Sequence, residues 1–583
     1  MFVCRCGTNI AGVLDTWSLA EQAAAAPGVV WAQEELFTCS QDATGRMAEI
    51  IRSHRLDRLV VASCSPRAHL PIFQEVATRQ GLAMGLVEMA NIREQCAWVH
   101  ADTPAAAQSK AASLIRLALE RVRQAQPVPM LELAVRQRAL IFGAGIAALT
   151  AAVHLADAGI PCVLVNHEAE LGGRMRHAFF DPKRLDCRKL QRLTLDRVAR
   201  HPRIEILHQA DLVDLSGSVG RFTALIRQHG GGIGDGSGSG SEAEIGAGAD
   251  TRAGEERTRT VVVEAGAILA AIGADLLRPE GLHQYGRSPQ VLTQAELAAG
   301  LAAATLDLEP IRQVAMIQCV GSRNDQRPYC SRSCCQQAVA HALELKKRYP
   351  HLVITILYRD LRTYGTAEQL YQEAREAGVR FMRYAEQTPP QVTSRRFGRR
   401  STLDLDWTVP GDGLQARLRV GLLVLSTATV PSPWAESLAL KLKVPLSDQG
   451  FFLEKHIKLA PVETAVEGIF IAGQCHCPET LTESLVQGQA AAAKMLGLLR
   501  RKRLRKPAFT AAIDPARCSR CLSCHAVCPA RAVIVPTQGG PLTIDPMTCL
   551  GCGLCAAECP AGAIEVAGAR DKPLASSAAT ILG

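Results

Sequence analysis

The longest apolar run lies between Ala139 and Ala156, 18 residues, which is the lower length limit for a membrane span. It is interrupted by Gly143-Ala144-Gly145, with a strand-like half before and a helix-like half after, and His154 sits on the latter. The pattern therefore predicts a buried strand, a tight turn and a helix continuing to Gly159. A second apolar strand, Cys162–Val165, follows and completes a βαβ unit. Further buried strands are predicted at Ala267–Ile272, Val314–Cys319, Leu352–Leu357 and Gly468–Ala472. A helix spans Gln336–Lys347, another begins near Leu481, and Met1–Cys4 opens as a strand. No other stretch competes as a membrane span, so a soluble, cytoplasmic protein is expected.

At 583 residues the chain has room for about three domains. Few aromatics and much alanine suit an α/β fold. Twenty-one cysteines without a basic start and apolar leader point to a reducing compartment and to metal rather than disulfides. The net charge of +9 is modest, and its densest run, Arg500 to Lys506, reads as a solvated linker facing an acidic partner rather than a nucleic-acid patch.

The expected domains are an N-terminal α/β unit (1–128), an FAD-binding Rossmann-like unit (135–499) with a flexible Gly/Ser-rich insertion near 229–257, a C-terminal α+β unit (508–567) and a tail (568–583). The C-terminal unit carries the sharpest chemistry. Cys518-x2-Cys521-x2-Cys524-x3-Cys528-Pro529 is repeated as Cys549-x2-Cys552-x2-Cys555-x3-Cys559-Pro560, the run that holds two [4Fe–4S] clusters. In that arrangement the fourth cysteine of each run serves the other cluster. Cys518, Cys521, Cys524 and Cys559 form one set, and Cys549, Cys552, Cys555 and Cys528 the other. Zinc is the alternative for paired Cys-x-x-Cys sequences, but the doubled run with both prolines favours iron and sulfide.

Gly143-x-Gly145-x-x-Ala148 is a dinucleotide fingerprint. The glycines let the backbone approach a pyrophosphate at a helix N-terminus, and Ala148 permits close helix–strand packing. The usual acid at the end of the second strand is replaced by Asn166, with Glu168 two residues on. Leu171-Gly172-Gly173-Arg174, the strand at Ala267 and Gly473-Gln474 are spaced as in two-dinucleotide-domain flavoproteins, which selects FAD over nicotinamide. Gln474 stands where an Asp is common. A second glycine fingerprint, which a standalone NAD(P)H oxidoreductase would need, is missing. Its place is taken by Cys319, Cys330, Cys334 and Cys335 in a strand–loop–helix–strand context. These suit a central [4Fe–4S] cluster; a redox bridge between Cys334 and Cys335, or buried free thiols, is the competing reading.

Cys4-Arg5-Cys6-Gly7-Thr8-Asn9-Ile10, Val61 to Arg67, Ala90 to Cys96, the Cys319–Cys335 loop and the C-terminal run together resemble the iron–sulfur A-subunit family of heterodisulfide reductases over almost the whole chain. The resemblance implies a thioredoxin-reductase-like FAD domain, the central cluster on Cys319, Cys330, Cys334 and Cys335, and a two-cluster ferredoxin domain. It also implies a further N-terminal cluster, for which Cys6, Cys39, Cys64 and Cys96 are the favoured set, because strand ends would bring the first three to one sheet edge. Cys4 is the alternative to Cys6, and buried structural thiols are the alternative to the cluster. Partners would be B and C subunits or equivalent redox proteins, with a ferredoxin or hydrogenase-type donor, in an oligomer that binds no nucleic acid. Long relatives carry an inserted ferredoxin domain where this chain has its Gly/Ser-rich stretch, and many carry a lysine where it has Ala340 followed by His341. With Asn166 as a third departure, these weaken the case for the bifurcation that the resemblance allows and favour a linear or confluent relay, in a shorter form of the family. The alternatives are an electron-carrying scaffold whose flavin is not catalytic, or a component of a quinone-linked or sulfur-metabolism complex. No catalytic residue is named by the sequence.

Overall fold

The computed structural model describes residues 1–128, 130–177, 187–229, 258–397, 400–411, 413–507, 509–536, 539–546 and 548–567. The 568–583 tail and all but the first residue of the 229–257 insertion lie outside the described residues. Chain contacts divide the molecule into two units, Ala134–Arg503 and Met1–Leu133 with Leu504–Gly583.

In the unit Ala134–Arg503, five strands form an all-parallel sheet in the spatial order Ile469–Ile471, Ala267–Ala270, Ala139–Phe142, Cys162–Asn166, Ile204–His208. Ala139 lies opposite Cys162 on one side and Ala267 on the other. The central strands are buried along their whole length, which is why they read as unbroken apolar runs. The helix Ile146–Asp157 is buried on nearly every side, because the helix Leu481–Leu499 packs directly on it. At the crossing, a Cβ on Gly488 would stand 2.4 Å from the Ala147 carbonyl oxygen, so only glycine allows that approach. The membrane-like run is thus a core element, and no helix among the described residues is long and apolar enough to cross a membrane.

The same unit contains a second sheet of the same plan. Its parallel order is Val291–Thr293, Leu422–Thr427, Gln313–Val320, Val353–Tyr358, Arg380–Arg383. Each five-stranded sheet is accompanied by a three-stranded antiparallel one, built from Ala210–Ser218, Arg221–His229 and Thr258–Ala265 in the first case and from Gln391–Phe397, Arg400–Thr408 and Gln415–Val420 in the second. The predicted strand–loop–helix–strand centre is present, with the helix at Cys334–Arg348 and thus starting two residues before the expected Gln336.

In the other unit, residues 1–128 hold a four-stranded parallel sheet ordered Gln33–Glu35, Phe2–Cys4, Leu59–Ser63, Val87–Asn91. Apolar clusters cover it, one around Ile10, Ile92 and Ile115 and one around Phe2, Met47 and Phe73. The C-terminal segment is α+β, with antiparallel pairs Ala511–Ile513/Ile564–Val566 and Val533–Ile534/Thr543–Ile544 and one-turn helices at Ser523–Ala526 and Leu554–Ala557. The basic run expected as a linker is corrected in part. Arg503–Pro507 is a strand paired with Met130–Ala134, and Arg505 forms an ion pair with Glu132 at 2.9 Å; a paired backbone and a carboxylate opposite give the run a structural use that its charge alone does not reveal.

Candidate functional site

A cleft of about 560 Å³ opens at the carboxyl ends of the first parallel sheet, where α/β sheets bind ligands, and its size is that of a cofactor site. Gly143, Gly145, Asn166, Gly172, Gly173, Arg174, Gly473 and Gln474 all line it. Ala148 is fully buried behind, in the helix–strand packing. Gly143 has φ 111°, and a Cβ there would fall 2.2 Å from the Ala271 carbonyl oxygen, so the turn requires glycine. Gly145 differs. It caps the helix Ile146–Asp157 with φ −78° and no side-chain cap bond, and an added Cβ would meet no protein atom within 4 Å. The cleft side of this helix start is therefore open, with backbone N–H groups that no side chain caps, the kind of terminus that attracts anions.

Asn166 lines the cleft at the end of its strand. Its Nδ2 donates to the carbonyls of Glu168 and Glu170, at 2.7 and 2.9 Å, shaping the loop after the strand. The Glu168 carboxylate is paired with Arg176. Beside them the His167 ring packs against Trp434 at a tilt of 43°, centroids 3.5 Å apart, and His167 Nδ1 lies 2.6 Å from Asp211 Oδ1. Trp434 and Asp211 also line the cleft, and sequence reasoning missed both because they come from distant segments.

At the other end, Arg174 Nη1 donates to Gln474 Oε1 at 2.5 Å. Loss of water around that guanidinium pulls its pKa down to about 10, with Asp275 opposing. Gln474 Nε2 donates in turn to the Glu479 carbonyl at 2.7 Å. Helix Leu481–Leu499 starts here with a capping box between Thr480 and Glu483.

The central cysteines lie on the adjoining element. Cys334 and Cys335 occupy the first turn of helix Cys334–Arg348, whose Ser333 cap and Gln337 line the cleft. Cys319 is the last but one residue of the strand Gln313–Val320 and has φ 61°, within a register shift that re-aims the chain as bulges do. All four thiols are free, Cys330 half-buried and the others buried. The Cys334 thiol is pushed up by donating to Cys335, then by burial, then by Cys335, Cys319 and Cys330 as neighbouring charges. Cys335 is lowered to about 7, first by that bond, with Arg362 and Arg323 also favouring thiolate. Burial pushes Cys319 up to about 11, with Arg323 and Arg359 opposing. The four thiols therefore interact with one another, Arg323, Arg359 and Arg362 oppose the rise at Cys319 and Cys335, and Cys334 and Cys335 sit at a helix N-terminus.

In the C-terminal segment Cys528, Cys549, Cys552 and Cys555 line one small cavity. Burial raises Cys555, followed by Cys549, Cys552 and Cys528, and burial raises Cys524 with Cys518 and Cys521 nearby. Backbone N–H groups of Ala511, Ala532 and Ala563 donate to the sulfurs of Cys549, Cys528 and Cys559 at 3.2–3.4 Å. Among the described residues no group of three or more His, Cys, Asp or Glu closes on a single-ion site.

In the N-terminal sheet the order reverses between Phe2–Cys4 and Leu59–Ser63. Cys6 and Cys64 follow those two strands, and Cys39 precedes the helix Gln41–Ser53. Cys39 is raised by burial and then by Cys4 and Cys6; Cys64 is pushed up to about 11 by burial, with Arg93 opposing and Cys6 and Cys4 adding. Burial also raises Cys96, but the charge that bears on it is Lys110, not another thiol. Cys4 thus keeps closer electrostatic company with Cys6, Cys39 and Cys64 than Cys96 does. Arg93 Nη1 reaches Cys6 Sγ at 3.7 Å, and His69 Nδ1 lies 3.2 Å from Cys64 Sγ.

Comparison with known proteins adds family models for a "4Fe-4S dicluster domain" over residues 517–563 and an "NAD(P)-binding Rossmann-like domain" over residues 141–189. The iron–sulfur A-subunit of a CoB–CoM heterodisulfide reductase from Methanopyrus kandleri is 33% identical, over 93% of this chain and 92% of its own. The A-subunit of a ferredoxin/F420H2-dependent CoB–CoM heterodisulfide reductase from Methanosarcina acetivorans is 31% identical, over 91% of this chain and 74% of its own. Among solved structures, thioredoxin reductase of T. acidophilum matches 62% of this chain and 99% of its own at 14% identity and a TM-score of 0.40, and that of Lactococcus lactis does so at 16% and 0.41.

Proposed function

The chain belongs to the A-subunit family of CoB–CoM heterodisulfide reductases, an oxidoreductase family, and from that premise we propose that it is the flavin and iron–sulfur electron-distributing component of a multi-subunit redox complex. One observation carries the reading. The helix that presents Cys334 and Cys335 also lines, through Ser333 and Gln337, the cleft that holds the glycine fingerprint, so the proposed two-electron site and two of the four thiols share one helix terminus.

The residues fit the groups proposed. Gly145 and the helix behind it would seat the FAD pyrophosphate, Gly172 and Gly173 would border it, and Arg174 with Gln474 would set the charge of the inner cleft. FAD supplies exchange between a two-electron carrier and one-electron clusters. Arg174 keeps a positive charge in a region with little water, which favours negative charge arriving there. Cys319, Cys330, Cys334 and Cys335 would hold a central [4Fe–4S] cluster, their thiolates favoured by Arg323, Arg359 and Arg362. The two C-terminal sets would hold one cluster each, Cys528 serving with Cys549, Cys552 and Cys555, and Cys559 with Cys518, Cys521 and Cys524. For an N-terminal cluster, Cys6, Cys39 and Cys64 remain the core, and Cys4 is the better-supported fourth member than Cys96.

The complex would pair this chain with B- and C-type subunits or their equivalents and with a ferredoxin or hydrogenase-type donor. Electrons would pass in a linear or confluent relay, because the 230–257 stretch contains no cysteine. The chain spans 92% of one archaeal relative and 74% of another, so it is a shorter form only against the longer members. Anaerobic purification with iron, sulfide and flavin quantitation, followed by reduction with a low-potential ferredoxin, tests the proposal. Bound FAD that the ferredoxin reduces is expected. Flavin-free protein that still relays electrons would make the chain a scaffold.

A further inference from the structure

Glu479 is unlike the other acids of the cleft. It is 1% exposed yet lines the cleft wall, one residue before the Thr480 cap of helix Leu481–Leu499. Its Oε1 accepts from Ser484 Oγ at 2.6 Å, and its Oε2 has no hydrogen-bond partner among the described residues. A buried carboxylate oxygen left unpaired is costly, and binding a proton is the direct way to relieve it. The acid that flavoproteins of this plan commonly carry at the end of the preceding strand is here the neutral Gln474, whose amide is committed to Arg174 and to the Glu479 backbone. The protonatable group has therefore moved from the strand end to the helix start, still within the same wall.

We propose that Glu479 is the redox-linked proton acceptor of this cleft, taking a proton from solvent when electrons enter the flavin. The inference rests on the FAD reading above. FAD that gains two electrons and one proton is left with one negative charge, the electrons coming through the clusters from a ferredoxin-type donor. That charge opposes an ionised carboxylate nearby. Uptake of a second proton forms the O–H bond on Glu479 and removes the repulsion, so two electrons and two protons enter together.

The surroundings agree. Burial pushes the Glu479 carboxyl up to about 7, with Ser484 and Arg332 lowering it and Glu483 raising it. Cys475 and Cys477 flank it on its own loop as neutral thiols, both raised by burial. Arg174 faces it through Gln474, with Asp275 beside Arg174.

The test is the flavin midpoint potential followed against pH in the full-length holoprotein and in Glu479→Gln. Below pH 7 the wild-type carboxyl is already protonated and adds nothing; above it, one further proton per two electrons steepens the plot by about 30 mV per pH unit. Glu479→Gln should keep its FAD and lose the break. A redox-induced infrared difference spectrum gives a second readout, in which a protonated carboxyl band gained on reduction at pH 8 should vanish in the variant. If Glu479→Gln does not retain flavin, the wild-type spectrum compared with Glu479→Asp decides: a shifted carboxyl band supports the proposal and an unchanged one overturns it. A wild type without a break, or a break that survives in Glu479→Gln, also overturns it. A wild-type protein with no FAD would instead sink the flavin reading itself.

Discussion

Gly143 and Gly145 are two residues apart and would fail for opposite reasons. Gly145→Val introduces a side chain where the protein has open space and φ is ordinary, so its cost to the fold is confined to the cap, about 1 kcal/mol. The variant should purify folded, with C-terminal iron intact and flavin absorbance at background; normal flavin content would remove the dinucleotide assignment. Gly143→Ala meets the Ala271 carbonyl and a left-handed backbone, and should lose about 2–4 kcal/mol of stability by denaturant titration, with or without FAD. At the central set, Cys334→Ser should keep FAD reducible by a chemical donor while iron content falls and transfer to a partner protein stops, since serine is a poor ligand for soft iron. Unchanged iron with unchanged transfer would reduce the four cysteines to structural thiols.

At the scale of elements, the helix Leu481–Leu499 does two jobs. It covers helix Ile146–Asp157 through the Gly488 crossing, and its first turn ties the cleft to the central loop, because Glu483 both completes the Thr480 capping box and pairs with Arg332. Gly488→Ala should separate the two helices and cost about 1–3 kcal/mol, read as a lower urea midpoint. Thr480→Ala should cost about 1 kcal/mol and also weaken FAD retention on dilution; a pure stability loss with normal retention would make the cap structural only. The start of helix Cys334–Arg348 illustrates why boundaries are hard to read. Ser331 and Ser333 both offer a cap by residue type, and Ser333 makes no side-chain cap bond, so the sequence does not single out the turn that begins at Cys334.

For the whole molecule, the division into Ala134–Arg503 and the remainder places the cleft with the glycine fingerprint in one unit and the C-terminal cysteines in the other. Cys521→Ser or Cys552→Ser should therefore remove a cluster and leave FAD in place, as metal-dependent folding of a separate segment predicts; iron and flavin assays on the same preparation check this. Loss of FAD in either variant would show that the two units do not load independently.

Local spacing was enough to name the α/β class, the βαβ glycine turn and the dicluster run, because each is written within a few tens of consecutive residues and obeys short-range geometry. The hydrophobic pattern likewise resolved Ala139–Ala156 into strand and helix, its interrupting glycines arguing against a membrane span. Strand order is a different kind of fact. Strand order and loop contacts depend on segments up to hundreds of residues apart, so only the tertiary structure brought Trp434 onto His167 and Arg174 onto Gln474. Burial is also a property of the whole. Glu479 is an ordinary acid in a polar loop by sequence, and only the tertiary structure leaves it 1% exposed, with one carboxylate oxygen held by Ser484 and the other without a hydrogen-bond partner among the described residues.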